Sequence, residues 1–383
     1  MPLDLIMFSD KLRRYCVQLN VLAAELGRAT GINQPRVEAL LSGQKEPTGD
    51  EVLILADYFK CDFKFFISNE RLAPFEQTEQ LFRKHGDALT SEDRWAIQEF
   101  LFLCECEAFL LSKMPNGDVR HAFTFTKQGT FCKAHGHEAA KALRHHLGYD
   151  DNNVPRDVYR DFRSIGIHVF RRRLANSSIS GIFIRHPIAG PCALINYDED
   201  IYRQRFSAAH ETAHAILDDG NEYSVSFARW DRNDLSEVRA NAFASHYLIP
   251  PAFLAAMPSN IVWNEAVLRH WAHELRVNPE PLAIALKERS ALTDTQTDSL
   301  RKVKIPMDQK KDPELADDLP PRSRDRRKTL LERGLSNAYV NLCFAAYEQQ
   351  IVSAGRLAEM LLSEPSEMVG LAELFGRRWQ NGH

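Results

Sequence analysis

Residues 208–220 read AAHETAHAILDDG, with two histidines four positions apart and a glutamate directly after the first. The surrounding RQRFSAAHETAHAIL is rich in Ala, Arg and Leu and has no interior Gly or Pro, and DDG supplies a stop, so the segment must be a helix. Positions four apart on a helix share a face one turn apart. His210 and His214 can therefore present two imidazole nitrogens to a single tetrahedral ion, for which zinc is the expected choice. Glu211 sits beside them, where its carboxylate can take a proton from an activated water and pass it to a leaving amine. The motif is short for a chain with 14 histidines, and a solvent-facing helix of ordinary polar residues would look the same. A third ligand is what separates the two readings.

Glu237 follows His214 in SEVRANAFASHYLIPP, a second helix closed by Pro250 and Pro251. Asn241 lies one turn further on the same face, where its amide could hydrogen-bond the free ring nitrogen of a ligand histidine. Asp218, Asp219, Glu222, Asp234 and His246 are rival third ligands, although the nearest of them sit where closing a tetrahedron is poor geometry. His246 and Tyr247 are candidates to stabilise an oxyanion, with packing as the plainer role. Cys104 and Cys106 in LCECE could supply an inhibitory fourth ligand, at most one of them given the i, i+2 spacing. The plainer reading is two core thiols. CKAHGH, residues 132–137, reads as surface polarity rather than a second metal site.

The rest of the chain sets the context. A length of 383 residues with 44% hydrophobic content supports two or three domains with full cores. The net charge of -4 argues against bulk coating of nucleic acid, so any such contact is local. No signal-peptide pattern or membrane-length apolar run is legible, and seven scattered cysteines read as free thiols, so a cytoplasmic location is expected, without membrane contact.

Short helices punctuated by Gly and Pro fill residues 8–68, with Gly31 expected in a left-handed turn and Pro35 in a first helical turn. Gln34 and Arg36 are the candidate DNA-contacting residues. Residues 1–70 nevertheless carry eight Lys and Arg against ten Asp and Glu, so docking to protein competes with DNA reading. GIHVF, SGIFIR and CALINY are β-type runs, the last two forming a hairpin, and a substrate could lie along CALINY as an added strand. The charged, Pro-rich IPMDQKKDPELADDLPP reads as a linker. The basic run RSRDRRK after it could meet nucleic acid or simply be solvated.

These stretches carry a family resemblance. TGINQPRVEALLSGQKEPTGDEVLILADYF resembles the helix-turn-helix of Cro/C1-type repressors. INYDEDIYRQRFSAAHETAHAILDD followed by EVRANAFASHYLIP resembles the ImmA/IrrE zinc metallopeptidases over roughly residues 135–285, and together the two resemble the CapP-like subset tied to antiphage defence. RAN and SHYL depart from the family's usual pattern without touching the ligands.

The resemblance implies a mainly α fold with a small antiparallel sheet (α+β). Residues 1–72 would be the helix-turn-helix domain, 73–130 a helical connector, 131–300 a zincin-like peptidase domain, 301–321 a linker and 322–383 a helical regulatory region. It implies a zinc endopeptidase with His210, His214 and Glu237 as ligands and Glu211 as general base. Such an enzyme would cut a partner transcriptional repressor on a stress or DNA-damage signal, with DNA as a further ligand or regulator. The alternative is a DNA-binding regulator whose peptidase-like domain only senses.

Overall fold

The computed structural model describes residues 3–61, 63–68, 74–114, 123–127, 131–150, 152–218, 220, 222–227, 234–258, 260–377 and 379. The chain forms two compact units. One comprises Met1–Lys113, His186–Ile188 and Asn341–His383, and the other comprises Met114–Arg185 and Ala189–Val340.

The first unit opens with α1 (Leu5–Leu19), α2 (Ala23–Thr30), α3 (Gln34–Leu41), α4 (Gly49–Tyr58) and α5 (Phe63–Ile67). Local chemistry sets these boundaries. Asp4 accepts from the backbone N–H groups of Ile6 and Met7, and Asn33 caps α3 just ahead of Pro35. Gly31 ends α2 at φ 74°, a left-handed turn that favours glycine, as the sequence predicted. Thr48 and Glu51 form a capping box at α4. Phe8, Leu12, Tyr15, Leu26, Val37, Leu40, Leu55 and Phe59 make the core of this bundle, with Tyr15 stacked on Phe59 at 4.9 Å.

Two more helices follow, α6 (Pro74–His85) and α7 (Ser91–Lys113). Thr90 caps α7: its hydroxyl accepts from the Asp93 N–H, and Asp93 accepts from the Thr90 N–H and hydroxyl. Because α7 is buried along most of its length, its apolar residues show no single stripe.

The second unit contains α8 (Cys132–His146), α9 (Val158–Ser164), β1 (His168–Arg172), β2 (Ile179–His186), β3 (Gly190–Asn196), α10 (Ile201–Leu217), β4 (Tyr223–Phe227) and α11 (Leu235–Leu248). After these come α12 (Pro251–Ala255), α13 (Glu265–Leu275), α14 (Pro279–Glu288), α15 (Asp294–Leu300) and α16 (Pro321–Glu332). The helices α17 (Asn337–Glu348), α18 (Ala354–Met360) and α19 (Met368–Leu374) complete the chain. The mainly helical fold with a small sheet is as expected.

The sheet itself is mixed rather than purely antiparallel. Its order is β1-β3-β2-β4, with β1 parallel to β3 and β2 antiparallel to β4. The β2–β3 turn, where Gly190 takes φ 84°, returns the chain between β1 and β2, so β1 and β3 run the same way. This placement corrects one expectation. β3, which carries CALIN, is flanked on both sides, so its backbone groups are already used and no substrate strand can add to it. β4 is the terminal strand on the β2 side.

Helix α10 packs on β3 and against α11, and α11 packs along α8. Gly136 makes the last contact close: a Cβ there would come within 2.8 Å of the Phe243 backbone nitrogen, and would also strike the Arg239 carbonyl. CKAHGH is thus the first turns of α8, with His135 and Gly136 buried.

The segment expected to be a linker is instead packed into the second unit. Arg171 of β1 is buried between Asp312 (2.7 and 3.0 Å) and Glu314 (2.6 Å), and also reaches Gln204 of α10. Lys310 bonds Asp200 at 2.7 Å and Asn278 at 2.9 Å. Three of the charges that suggested solvation, on Lys310, Asp312 and Glu314, are buried and paired, whereas Asp308, Lys311, Asp317 and Asp318 stay exposed. The basic run 322–328 lies at the start of α16 and is largely exposed. Among the described residues no helix is long and apolar enough to cross a membrane.

Candidate metal centre

Asp200 begins the site. Its side chain caps α10 through the N–H groups of Tyr202 and Arg203, and the helix then carries His210, Glu211 and His214 inward, all buried. Asp234 caps α11 through Ser236 and Glu237, which starts the second helix so that Glu237 falls in its first turn. The two helices bring three side chains together.

Nε2 of His210 and Nε2 of His214 are 3.1 Å apart. The Glu237 carboxylate reaches the same nitrogens at 3.3 and 3.2 Å. A tetrahedral zinc site with bonds of about 2.0–2.1 Å has edges of about 3.3–3.4 Å. Glu237 meets the two nitrogens through different oxygens, Oε2 to His210 and Oε1 to His214, so a small turn of its carboxylate would set one oxygen and the two nitrogens as one face of such a tetrahedron, with a fourth vertex left over. Among the described residues this is the one grouping of histidine, cysteine and carboxylate donors close enough to share an ion. The residues present fit a zinc ion.

The surroundings support that geometry, though not through the residue the sequence suggested. Nδ1 of His214 is held at 2.7 Å by Asp218, one turn further along, and Asp218 is itself paired with Arg239 of α11. Asn241 does not take this role. Its amide donates to the Glu237 carbonyl at 2.9 Å and so braces the backbone of α11. Asp218 had a readable signal, since it continues the four-residue spacing of the histidines. It appeared there only as a rival ligand because ligand and orienting carboxylates share the same chemistry.

Asp218→Asn is expected to weaken zinc binding by about 10–100-fold, measured by competition with a chelator. Unchanged affinity would contradict its orienting role.

The donors also act on one another electrostatically. Burial works to lower the His214 pKa, but the Asp218 and Glu237 hydrogen bonds outweigh it and raise it to about 10. For Glu237 burial pushes up, whereas the hydrogen bonds of His210 and His214 hold it well below the ordinary carboxylate range. Such a cluster of one carboxylate and two imidazoles suits a divalent cation once the imidazoles are neutral.

Glu211 differs from all of these. It is fully buried, yet neither carboxylate oxygen has a hydrogen-bond partner. Burial raises its pKa, against the pull of His210 and His214; the Ser226 hydroxyl of β4 is close to it but outside hydrogen-bonding geometry. A buried carboxylate without partners is costly, and its position beside the open vertex is where a reacting water would supply the missing bonds. Gly181 of β2 makes room for it: a Cβ at that position would lie 2.6 Å from Glu211 Oε1. The β2–β4 register is irregular between Ile179 and Gly181, next to this contact. Neither Gly181 nor Ser226 carried a sequence signal, because only sheet register brings them to the helix.

Tyr247 is buried and donates its hydroxyl to Asp161 at 2.8 Å, a core role that removes it as an oxyanion donor. His246 stacks on His137 with ring centroids 3.5 Å apart. Asp234 is a helix cap, the Glu222 carbonyl accepts from the Arg185 N–H, and neither is a ligand. Asp219 lies outside the described residues. Cys104 and Cys106 are buried in α7, which belongs to the first unit, and the donor cluster contains no cysteine among the described residues.

In α3, Arg36 is held by both Glu51 oxygens at 2.7 Å and bonds the Glu46 carbonyl, while Gln34 donates to Glu38 at 2.9 Å. Arg36 is thus a clasp from α3 to the start of α4 rather than a free base-reading side chain.

Comparison with known protein families agrees with this division. Residues 162–287 match the IrrE N-terminal-like domain, a peptidase family, and residues 12–66 match a helix-turn-helix family. The first match begins later than the resemblance over 135–285 implied, and ends close to it. No curated protein matches the chain. The chain thus joins a segment similar to a helix-turn-helix domain, residues 12–66, to a later segment similar to the IrrE N-terminal-like domain, residues 162–287.

Proposed function

We propose that the chain is a zinc-dependent endopeptidase that cuts a partner transcriptional repressor in response to a stress or DNA-damage signal, and so releases a defence or stress operon. The observation that carries the peptidase reading is the Glu211 carboxylate, buried and without a protein partner beside three donors spaced for one ion. His210, His214 and Glu237 would hold the ion. When bound, zinc would supply Lewis-acid polarisation of a peptide carbonyl and lower the pKa of a water so that it can lose a proton and become a nucleophile.

The chain's own groups do the rest. Glu211 accepts the proton of the attacking water at its carboxylate and hands it to the departing amine. Asp218, fixed by Arg239, keeps His214 in one orientation. An extended substrate segment would run along the outer side of β4, the terminal strand, whose Ser226 faces Glu211, and this takes the place of addition to β3.

A repressor substrate is supported by the combination of domains: a peptidase fused to a helix-turn-helix module is built to find its target where transcription is regulated. Because Arg36 is already paired, contact of this module with protein is favoured over base reading. The rival, a DNA-binding regulator with a silent peptidase-like domain, has no need for a full set of ligands and an unpartnered Glu211.

Incubating the purified zinc-loaded protein with the repressor encoded beside it, with and without DNA, tests the proposal. Cleavage that stops when a chelator removes the zinc is the expected result. Tight operator binding by a protein that cuts nothing supports the rival.

A further inference from the structure

A cavity of about 350 Å³ opens in the second unit along the same helices that carry the metal ligands. Arg203 and Phe206 line it from α10, seven and four residues before His210 and hence on its face of the helix. Val238, Asn241 and Ala242 line it from α11, beginning at the residue next to Glu237. Pro281 and Ile284 of α14 form the facing wall, and the stacked His137 and His246 rings form another.

We propose that this cavity is the specificity pocket for one uncharged, apolar side chain of the peptide substrate, bound beside the bond that is cut. The inference rests on the peptidase reading above and adds to it the class of residue recognised.

Size and charge both point this way. The volume is at the small end of ligand pockets, about 300–1,000 Å³, and suits one large side chain rather than a folded partner. The charged groups around the cavity are largely spoken for: Arg203 pairs with Glu199 at 3.3 Å and Lys133 with Glu288 at 3.8 Å. Asn241 spends its amide on the Glu237 carbonyl. Burial lowers the pKa of both His137 and His246, the latter to about 4, so the stacked rings are neutral near pH 7. An apolar guest loses water here to aromatic and aliphatic surface, whereas a charged one loses water without gaining a partner. Glu280, exposed among the lining residues, and Glu288, held only loosely by Lys133, could favour a basic guest, and the test includes that case.

Ile284 is 44% exposed on α14 and touches no proposed catalytic group, so it can be resized without disturbing the ligands. The zinc-loaded full chain is offered a mixed-sequence peptide library and the products are sequenced. Phe, Leu, Ile or Met is expected at one position flanking the cut. Ile284→Trp should shift that position towards Ala and Ser, with a loss of roughly tenfold or more on Phe peptides, and Ile284→Ala should shift it towards Trp. The same profile in all three proteins overturns the pocket.

A second readout does not need hydrolysis. N-acetyl-phenylalaninamide should move the ring-proton NMR signals of His137 and His246 in the wild type and much less in Ile284→Trp, and N-acetyl-lysinamide should not. Shifts from the lysine amide alone overturn the proposal in favour of a basic guest. An uncut library with the phenylalanine amide bound keeps the pocket and rejects the peptidase reading, while a cut library without pocket preference rejects the pocket alone.

Discussion

Glu211→Gln is expected to lower peptide cleavage by about 10²–10⁴-fold while the protein still binds zinc and keeps its unfolding midpoint. The substitution preserves shape and removes only the ability to take a proton. Neither Glu211 oxygen makes a protein hydrogen bond, so no structural contact is lost with the charge. Folding has no use for this carboxylate: burial raises its pKa, and its removal should be neutral or favourable for stability. Side-by-side measurement of turnover, bound zinc and urea unfolding checks all three parts. A variant that cuts as fast as the wild type, or one that loses zinc along with activity, would contradict the assignment of Glu211 as the base.

Gly181→Ala is expected to cost about 10²-fold in turnover at saturating substrate, the scale of a displacement of about 1 Å at a reacting group. Alanine is ordinarily the better strand residue, by roughly 0.5–1 kcal/mol. Here, however, the added methyl would meet the Glu211 carboxylate at 2.6 Å and its Cγ at 2.9 Å. Glu211 is fully buried, and the contact forces its carboxylate away from the position it holds beside the metal ligands. The loss should vanish in the Glu211→Gln background, because a misplaced base costs nothing once the base is gone. Full activity in Gly181→Ala, or a loss that adds to that of Glu211→Gln, would show that the contact does not act through Glu211.

How much of this was legible in the sequence depended on the range of the interaction. Helical spacing is local, so His210 and His214 could be placed on one helical face, with Glu211 beside them, from thirteen residues alone, and Glu237 could be put forward as third ligand from the helix that follows, whereas their burial could not be read. The turn at Gly31 and the start of α3 at Pro35 were legible for the same reason: backbone preferences are written residue by residue. Contacts set by sheet order were not. The parallel β1–β3 pair, the closed edges of β3 and the approach of Gly181 to Glu211 all depend on where strands dock, and no short stretch encodes that.

Charge misled in two places. The segment around Asp312 and Glu314 looked solvated until Arg171, far away in sequence, supplied a buried partner. Arg36 looked available to DNA until Glu51 was seen to hold it. A charged side chain read without its partner gives its hydration preference but not its location.

The most direct measurement is anomalous X-ray scattering at the zinc edge from crystals of the full chain grown with zinc. The account predicts one strong peak within about 2.0–2.2 Å of His210 Nε2, His214 Nε2 and a Glu237 oxygen, with a position left for solvent near Glu211. A peak elsewhere, or the three side chains pointing apart around no ion, would contradict it.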